Sequence, residues 1–122
     1  VNKGLYILKI RLKEGQEIAV GALGSAYFPS GLYVYVGSAQ KGLKARIKRH
    51  LARHKRLFWH IDYLLEKAEV IGIESLAGSK EKECVLSQKF CHSGGKVVMK
   101  GFGASDCSCP THLYYLGHPS SE

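Results

Sequence analysis

The chain has 122 residues, a length that suits one domain with a single modest core. Apolar residues make up 45% and charged residues 23%, which excludes a disordered or fibrous chain. The formal net charge is +8, and Lys41–Arg56 alone holds eight Lys or Arg, two His and no acid. A solvated face that only aids solubility would mix both signs, so a block this basic points to a polyanionic partner, most simply nucleic acid.

The N-terminal VNKGLYILKI reads as structure and not as a signal peptide. Ile18–Gln40 carries no charge, yet Gly21, Gly24, Ser25 and Pro29-Ser30-Gly31 are turn chemistry that argues against a membrane span. Four cysteines, two of them in Cys107-x-Cys109, lack the look of a secreted disulfide framework. The expectation is a soluble, cytoplasmic protein with reduced thiols and no membrane partner.

In chain order, Gly4–Leu12 is the first predicted strand, and Lys13–Gln16 a turn. Glu17–Gly21 follows as a short strand, expected to form a hairpin with the first, and Ala22–Ser30 is a loop. From Gly31, Leu32, Val34 and Val36 alternate with Tyr33 and Tyr35, the period of a strand. Gly37-Ser38-Ala39 breaks the alternation, and Gly42 to about Arg53 reads as a helix with Leu43, Ile47 and Leu51 as its apolar stripe. Arg46, His50 and Arg53 then fall about 60° round from that stripe. This sets them at the rim of the packed face, near the tyrosine strand, where an anion would bind.

Trp59–Lys67 is expected as a short helix with Trp59 largely core, and Val70–Leu76 as a buried strand. Lys80 to about Cys91 returns to helix, with Ser79 as N-cap and Cys84, Leu86 and Phe90 inward. Gly94-Gly95 stops it, Lys96–Lys100 is a short strand, Gly101–Pro110 a cysteine-bearing loop and His112–Leu116 a last strand. The fold class is therefore α+β, a small, mostly antiparallel sheet flanked by helices. Residues 1–117 form one domain and residues 118–122 a tail.

Taken in order, Gly4-Leu5-Tyr6, Tyr35-Val36-Gly37 and Leu43-x-x-Arg46-x-x-x-His50 resemble the GIY-YIG nuclease superfamily. Trp59-His60-Ile61-Asp62-Tyr63-Leu64-Leu65, Glu83-Cys84-x-Leu86 and Gly103–Leu113 make the chain similar to a small stand-alone prokaryotic branch, sometimes fused to endonuclease III-type repair enzymes. The resemblance implies a metal-dependent endonuclease that hydrolyses DNA phosphodiesters in one in-line step, in repair or recombination. It also implies a nucleoid-associated protein with a repair-enzyme partner.

The same resemblance assigns roles. Tyr6 would take or orient the proton of the attacking water, with Tyr35 as its partner, because a phenol beside a cation loses its proton more readily. Arg46 would bind the scissile phosphate. Glu83 would hold one Mg2+ or Mn2+, with Glu74 and Glu81 as competing carboxylates. His50 either closes the helix end or assists proton transfer. Ser38, Lys41, Lys44, Lys48, Arg49, Arg53, Lys55 and Arg56 would contact nucleic acid. Here Leu5 replaces the isoleucine of the family's first motif, and the step from Gly37 to Leu43 is one residue longer.

Two other readings compete. The same scaffold without turnover would be a nucleic-acid-binding module, which has no need of Glu83 beside basic residues. Alternatively, Cys84, Cys107, Cys109 and His112 would complete a zinc site that staples an interaction domain, although the Cys-x-Cys spacing is shorter than the usual knuckle. Buried reduced thiols are the plainer expectation for those cysteines. His60 and Asp62, two apart, share no helix face and make a poor metal pair, so that segment reads as packing.

Overall fold

The computed structural model describes residues 4–39, 42–52, 57, 59–79, 81–103 and 111–118. Its seven strands are β1 (Gly4–Leu12), β2 (Gln16–Ala19), β3 (Ser25–Phe28), β4 (Gly31–Ala39), β5 (Glu69–Leu76), β6 (Lys96–Val97) and β7 (Leu113–Gly117). The helices are α1 (Leu43–Leu51), α2 (His60–Leu65) and α3 (Glu81–His92). Five strands form one sheet in the order β5-β1-β4-β7-β6, every pair antiparallel, and β2 with β3 makes a second sheet. The architecture is the expected α+β one.

The sheet is covered on both faces. Tyr6, Leu8, Ile10 and Leu12 of β1 and Tyr33 and Tyr35 of β4 enter the main core, where Leu43 of α1, Ile61 and Leu64 of α2, Phe28 and Phe102 meet them. Ile7, Val34 and Tyr114 point the other way and pack against Leu86 and Phe90 of α3. This explains why Leu32–Val36 of β4 is an unbroken run of aliphatic and aromatic residues: a strand buried on both faces cannot alternate in polarity. The phenols of Tyr33 and Tyr35 are accordingly core groups and not a free face.

Several expectations are corrected. The short second strand pairs not with β1 but with β3, which lies in the stretch expected to be a loop. A turn of 3-10 helix at Gly21–Leu23 returns the chain between them. The strand predicted to be buried, β5, is the sheet's edge, with Ile71, Ile73 and Leu76 substantially exposed. Its alternation marks strand conformation correctly, but one-sided pairing leaves it open. Strand β4 also runs through Gly37 and Ser38, where a break is expected. Leu43 and Ile47 of the expected α1 stripe pack on the core, but Leu51 is exposed and His50 is buried instead.

One glycine explains how β1 and β4 come together. Gly37 faces Tyr6 across the ladder, and a β-carbon at residue 37 would overlap the Tyr6 ring. The small residue lets the ring lie flat over β4 and aim its hydroxyl towards α1. Among the described residues no helix is long and apolar enough to cross a membrane.

Candidate functional site

At the end of the ladder where β1 begins and β4 ends, three elements meet. Tyr6 comes from β1, Tyr35 from β4, and Arg46 and His50 from successive turns of α1. The helix is short, so residues four apart stay on one face and reach the same spot. The Tyr6 hydroxyl and His50 Nε2 lie 2.8 Å apart in a buried hydrogen bond. The Tyr6 and Tyr35 ring centroids are 6.5 Å apart, and the His50 ring meets Tyr35 edge-on at 6.4 Å. Arg46 Nη1 donates to the Ser38 carbonyl at 3.1 Å, which ties the helix to the last turn of β4. Ser38 thus contributes its backbone as a brace for Arg46.

Burial dominates the tyrosines' acidity. It pushes the Tyr6 phenol up to about 12, although hydrogen bonding to Arg46 and its positive charge pull the other way. Tyr35 is raised well above the ordinary tyrosine value by burial, with the neighbouring phenol and Glu83 adding to it. Both phenols are neutral around pH 7. Glu83 is close enough to act electrostatically on both rings.

Glu83 stands in the first turn of α3, its side chain largely covered, with Oε2 3.8 Å from Nδ1 of buried His112. Burial lowers the His112 pKa, so that imidazole is neutral around pH 7 and the contact is not an ion pair. The competing carboxylates are elsewhere: Glu74 bridges to Lys9 on the sheet edge at 3.0 Å, and Glu81 is exposed. Among the described residues no three His, Cys, Asp or Glu side chains converge as a metal cluster. A single carboxylate can still serve Mg2+ or Mn2+, which completes its shell with waters and phosphate oxygens. In that sense Glu83 fits the ion.

The basic residues divide. Lys44 and Lys48 are exposed on α1. Arg49 is committed to the fold: Nη1 and Nη2 donate to the two carboxylate oxygens of Asp62 at 2.8 and 2.9 Å. Asp62 is fully buried and also accepts the Trp59 backbone N–H at 2.8 Å, which starts α2. Lys41, Arg53, Lys55 and Arg56 lie outside the described residues. The guanidinium carbons of Arg46 and Arg49 stand 4.4 and 4.3 Å from the centroid of the Trp59 ring. His50 approaches the same ring at 5.8 Å.

Residue spacing reads the Trp59–Leu65 segment as packing and does not reveal the Asp62–Arg49 pair. The signal available was an acid and a base separated by a connector, which spacing alone does not pair. His60, turned away from Asp62, accepts the Gly103 N–H on Nδ1 at 2.8 Å. Gly103 in turn lies against the Tyr35 ring, where a β-carbon would come within 2.9 Å.

The zinc alternative loses one ligand. Cys84 is disulfide-bonded, so its sulfur carries no thiolate for a metal, and the expectation of reduced thiols fails at that residue. Its Sγ lies 3.9 Å from His112 Nε2. Cys107 and Cys109 lie outside the described residues, and Cys91 is a free, exposed thiol.

A family model described as Domain of unknown function DUF123 matches residues 5–122, and the chain belongs to that family. No curated protein and no solved structure matches it.

Proposed function

We propose that this DUF123 chain is a divalent-metal-dependent endonuclease that hydrolyses DNA phosphodiester bonds. The observation that carries this reading is the convergence of Tyr6, Tyr35, Arg46 and His50 from three elements, with Glu83 in electrostatic range of both phenols. The ordered motifs that resemble GIY-YIG nucleases support it, as does the basic stretch around α1. A repair or recombination setting, a repair-enzyme partner and a place near the nucleoid rest on that resemblance alone.

The residues divide the work by their chemistry. Arg46 presents a permanent charge and forked N–H donors to the scissile phosphate, and offsets negative charge that develops in the transition state. A phenol with a pKa near 12 is a poor base by itself. Tyr6 has a partner, however: with His50 in its Nδ1–H tautomer, Nε2 accepts the phenolic proton as Tyr6 takes one from water. The proton therefore moves along a preformed hydrogen bond instead of leaving a bare phenolate in the core. Tyr35 orients that pair through ring contacts. Glu83 would hold Mg2+ or Mn2+, which when bound supplies Lewis-acid stabilisation of phosphate and leaving oxygens. Lys44 and Lys48 extend the contact along the backbone.

The test is cleavage of supercoiled, single-stranded and branched DNA with Mg2+ or Mn2+ against EDTA, alongside Glu83→Ala and Arg46→Ala. Metal-dependent cutting that both substitutions abolish, with folding and DNA binding retained, is expected. Salt-sensitive binding without cutting on any substrate would make the chain a non-catalytic nucleic-acid module instead.

A further inference from the structure

The aromatic ring under Arg46 has a supporting structure of its own. Asp62 is fully buried, and both its carboxylate oxygens are committed: Oδ1 to Arg49, and Oδ2 to Arg49 and to the backbone N–H of Trp59. One carboxylate thus fixes Trp59 twice, once through its main chain and once through the guanidinium that lies over its ring. Arg46 shares that ring at 4.4 Å and braces on the Ser38 carbonyl.

Two guanidiniums against one indole would repel each other, but the two are not equivalent. The charge of Arg49 is answered by Asp62 at bidentate distance, whereas among the described residues no acid bridges to Arg46. A cation over an indole face is held by the ring quadrupole without losing its N–H donors, which lie in its own plane. An acid in the same place would hold Arg46 equally well but would cancel the charge that a phosphate needs. The neutral ring orients the cation and leaves its charge intact.

We propose that Trp59 is the positioning residue for Arg46, and that the Arg49–Asp62 pair holds the indole in place for that task. The inference rests on the nuclease reading for its catalytic consequence. It assigns three residues of the Trp59–Leu65 region and α1 to the orientation of one guanidinium. Arg49 is then a support of the site and not a phosphate contact.

The chain has one tryptophan, so the ring can be changed chemically at that residue alone. Growth on 5-fluorotryptophan or a more fluorinated analogue weakens the ring quadrupole while keeping its shape. We expect kcat for DNA cleavage to fall progressively with fluorine content, up to about tenfold, with KM within twofold. Trp59→Leu should lose about ten- to a hundredfold in kcat, and Trp59→Phe should recover most of it. In Arg46→Lys, where a different cation meets the ring, Trp59→Leu should cost little more.

A separate readout needs no turnover. Stacking shifts the side-chain Nε–H resonance of Arg46 upfield by ring current, a shift that Trp59→Leu removes and Trp59→Phe retains. Folded Trp59→Leu or fluorinated protein with undiminished kcat would overturn the proposal, as would losses that multiply with Arg46→Lys. If the wild-type protein shows the shifted resonance and cuts no DNA, the nuclease reading fails and the positioning role falls with it. If it cuts DNA and the shift is missing, the nuclease reading stands and this inference alone is overturned.

Discussion

The ring of Tyr6 fills the space that a β-carbon on Gly37 would need. The two residues face each other across the β1–β4 ladder, so this tight packing of ring on backbone falls where the candidate site begins. Gly37→Ala should therefore force the ring off β4 and stretch its bond to His50. Overpacking of this kind costs about 1–3 kcal/mol. Urea denaturation checks the stability, and cleavage should fall further than the loss of folded protein explains.

Tyr6→Phe separates structure from chemistry at the same place. It removes the hydroxyl that lies 2.8 Å from His50 Nε2 and leaves the ring. Stability should drop by only about 1 kcal/mol, the usual net worth of one hydrogen bond. DNA cleavage should fall to background, while DNA affinity measured in Ca2+ stays within a few-fold.

Arg49 and Asp62 should behave asymmetrically. Arg49 is partly exposed and Asp62 is fully buried, so Arg49→Ala removes the bidentate partner of an interior carboxylate. Breaking a buried pair from that side costs about 3–5 kcal/mol. Adding Asp62→Asn to Arg49→Ala should recover part of the loss, and thermal or urea unfolding of the single and double variants measures it.

The basic face offers a contrast on α1 itself. Lys44→Ala and Lys48→Ala should each lower the slope of log affinity against log salt by about one, as expected for the loss of one phosphate contact. Arg49→Ala, in the fraction that remains folded, should leave that slope unchanged. Fluorescence anisotropy with a labelled duplex across a salt series reads both.

His60 predicts an acid-sensitive fold. Burial holds its pKa below 6.5, and its Nδ1 must stay unprotonated to accept the Gly103 N–H. In the unfolded chain a histidine takes its proton near pH 6.5, so below that the unfolded state binds more protons. The contribution is present above about pH 6.5 and is lost as pH falls through the lower, folded-state value. His112 acts in the same direction. The thermal midpoint should fall between pH 7.5 and 5.5, and His60→Gln, which does not titrate, should make that fall shallower.

Much of the fold was legible because its signals are local. β1 spans Gly4–Leu12 as expected from composition, and α3 starts within a residue of the predicted position. Pairing was not legible: β2 and β3 find each other, and β5 is an edge, because neither partner choice nor edge status is written in a strand's own alternation. At the site, helical spacing placed Arg46 and His50 beside the tyrosine strand, since i and i+4 share a face wherever the helix packs. The Arg49–Asp62 pair and the Arg46–Trp59 contact stayed hidden, because they join residues across a connector whose path no periodicity describes.

The strand order has a consequence for how the protein is made. β7, which ends at Gly117, is an interior strand between β4 and β6, with Leu113 and Tyr114 buried. Strand β4 is synthesised about eighty residues earlier and waits for it, and β1 waits similarly for β5. Ladders closed over such separations form slowly, because the entropy of ordering the intervening chain is lost before the pairing rewards it. A ribosome-bound chain that stops short of Leu113 would expose the long edge of β4 and leave the tyrosine cluster without its cover. Chaperone dependence, or aggregation of C-terminally nicked chains, is the cellular form this topology would take.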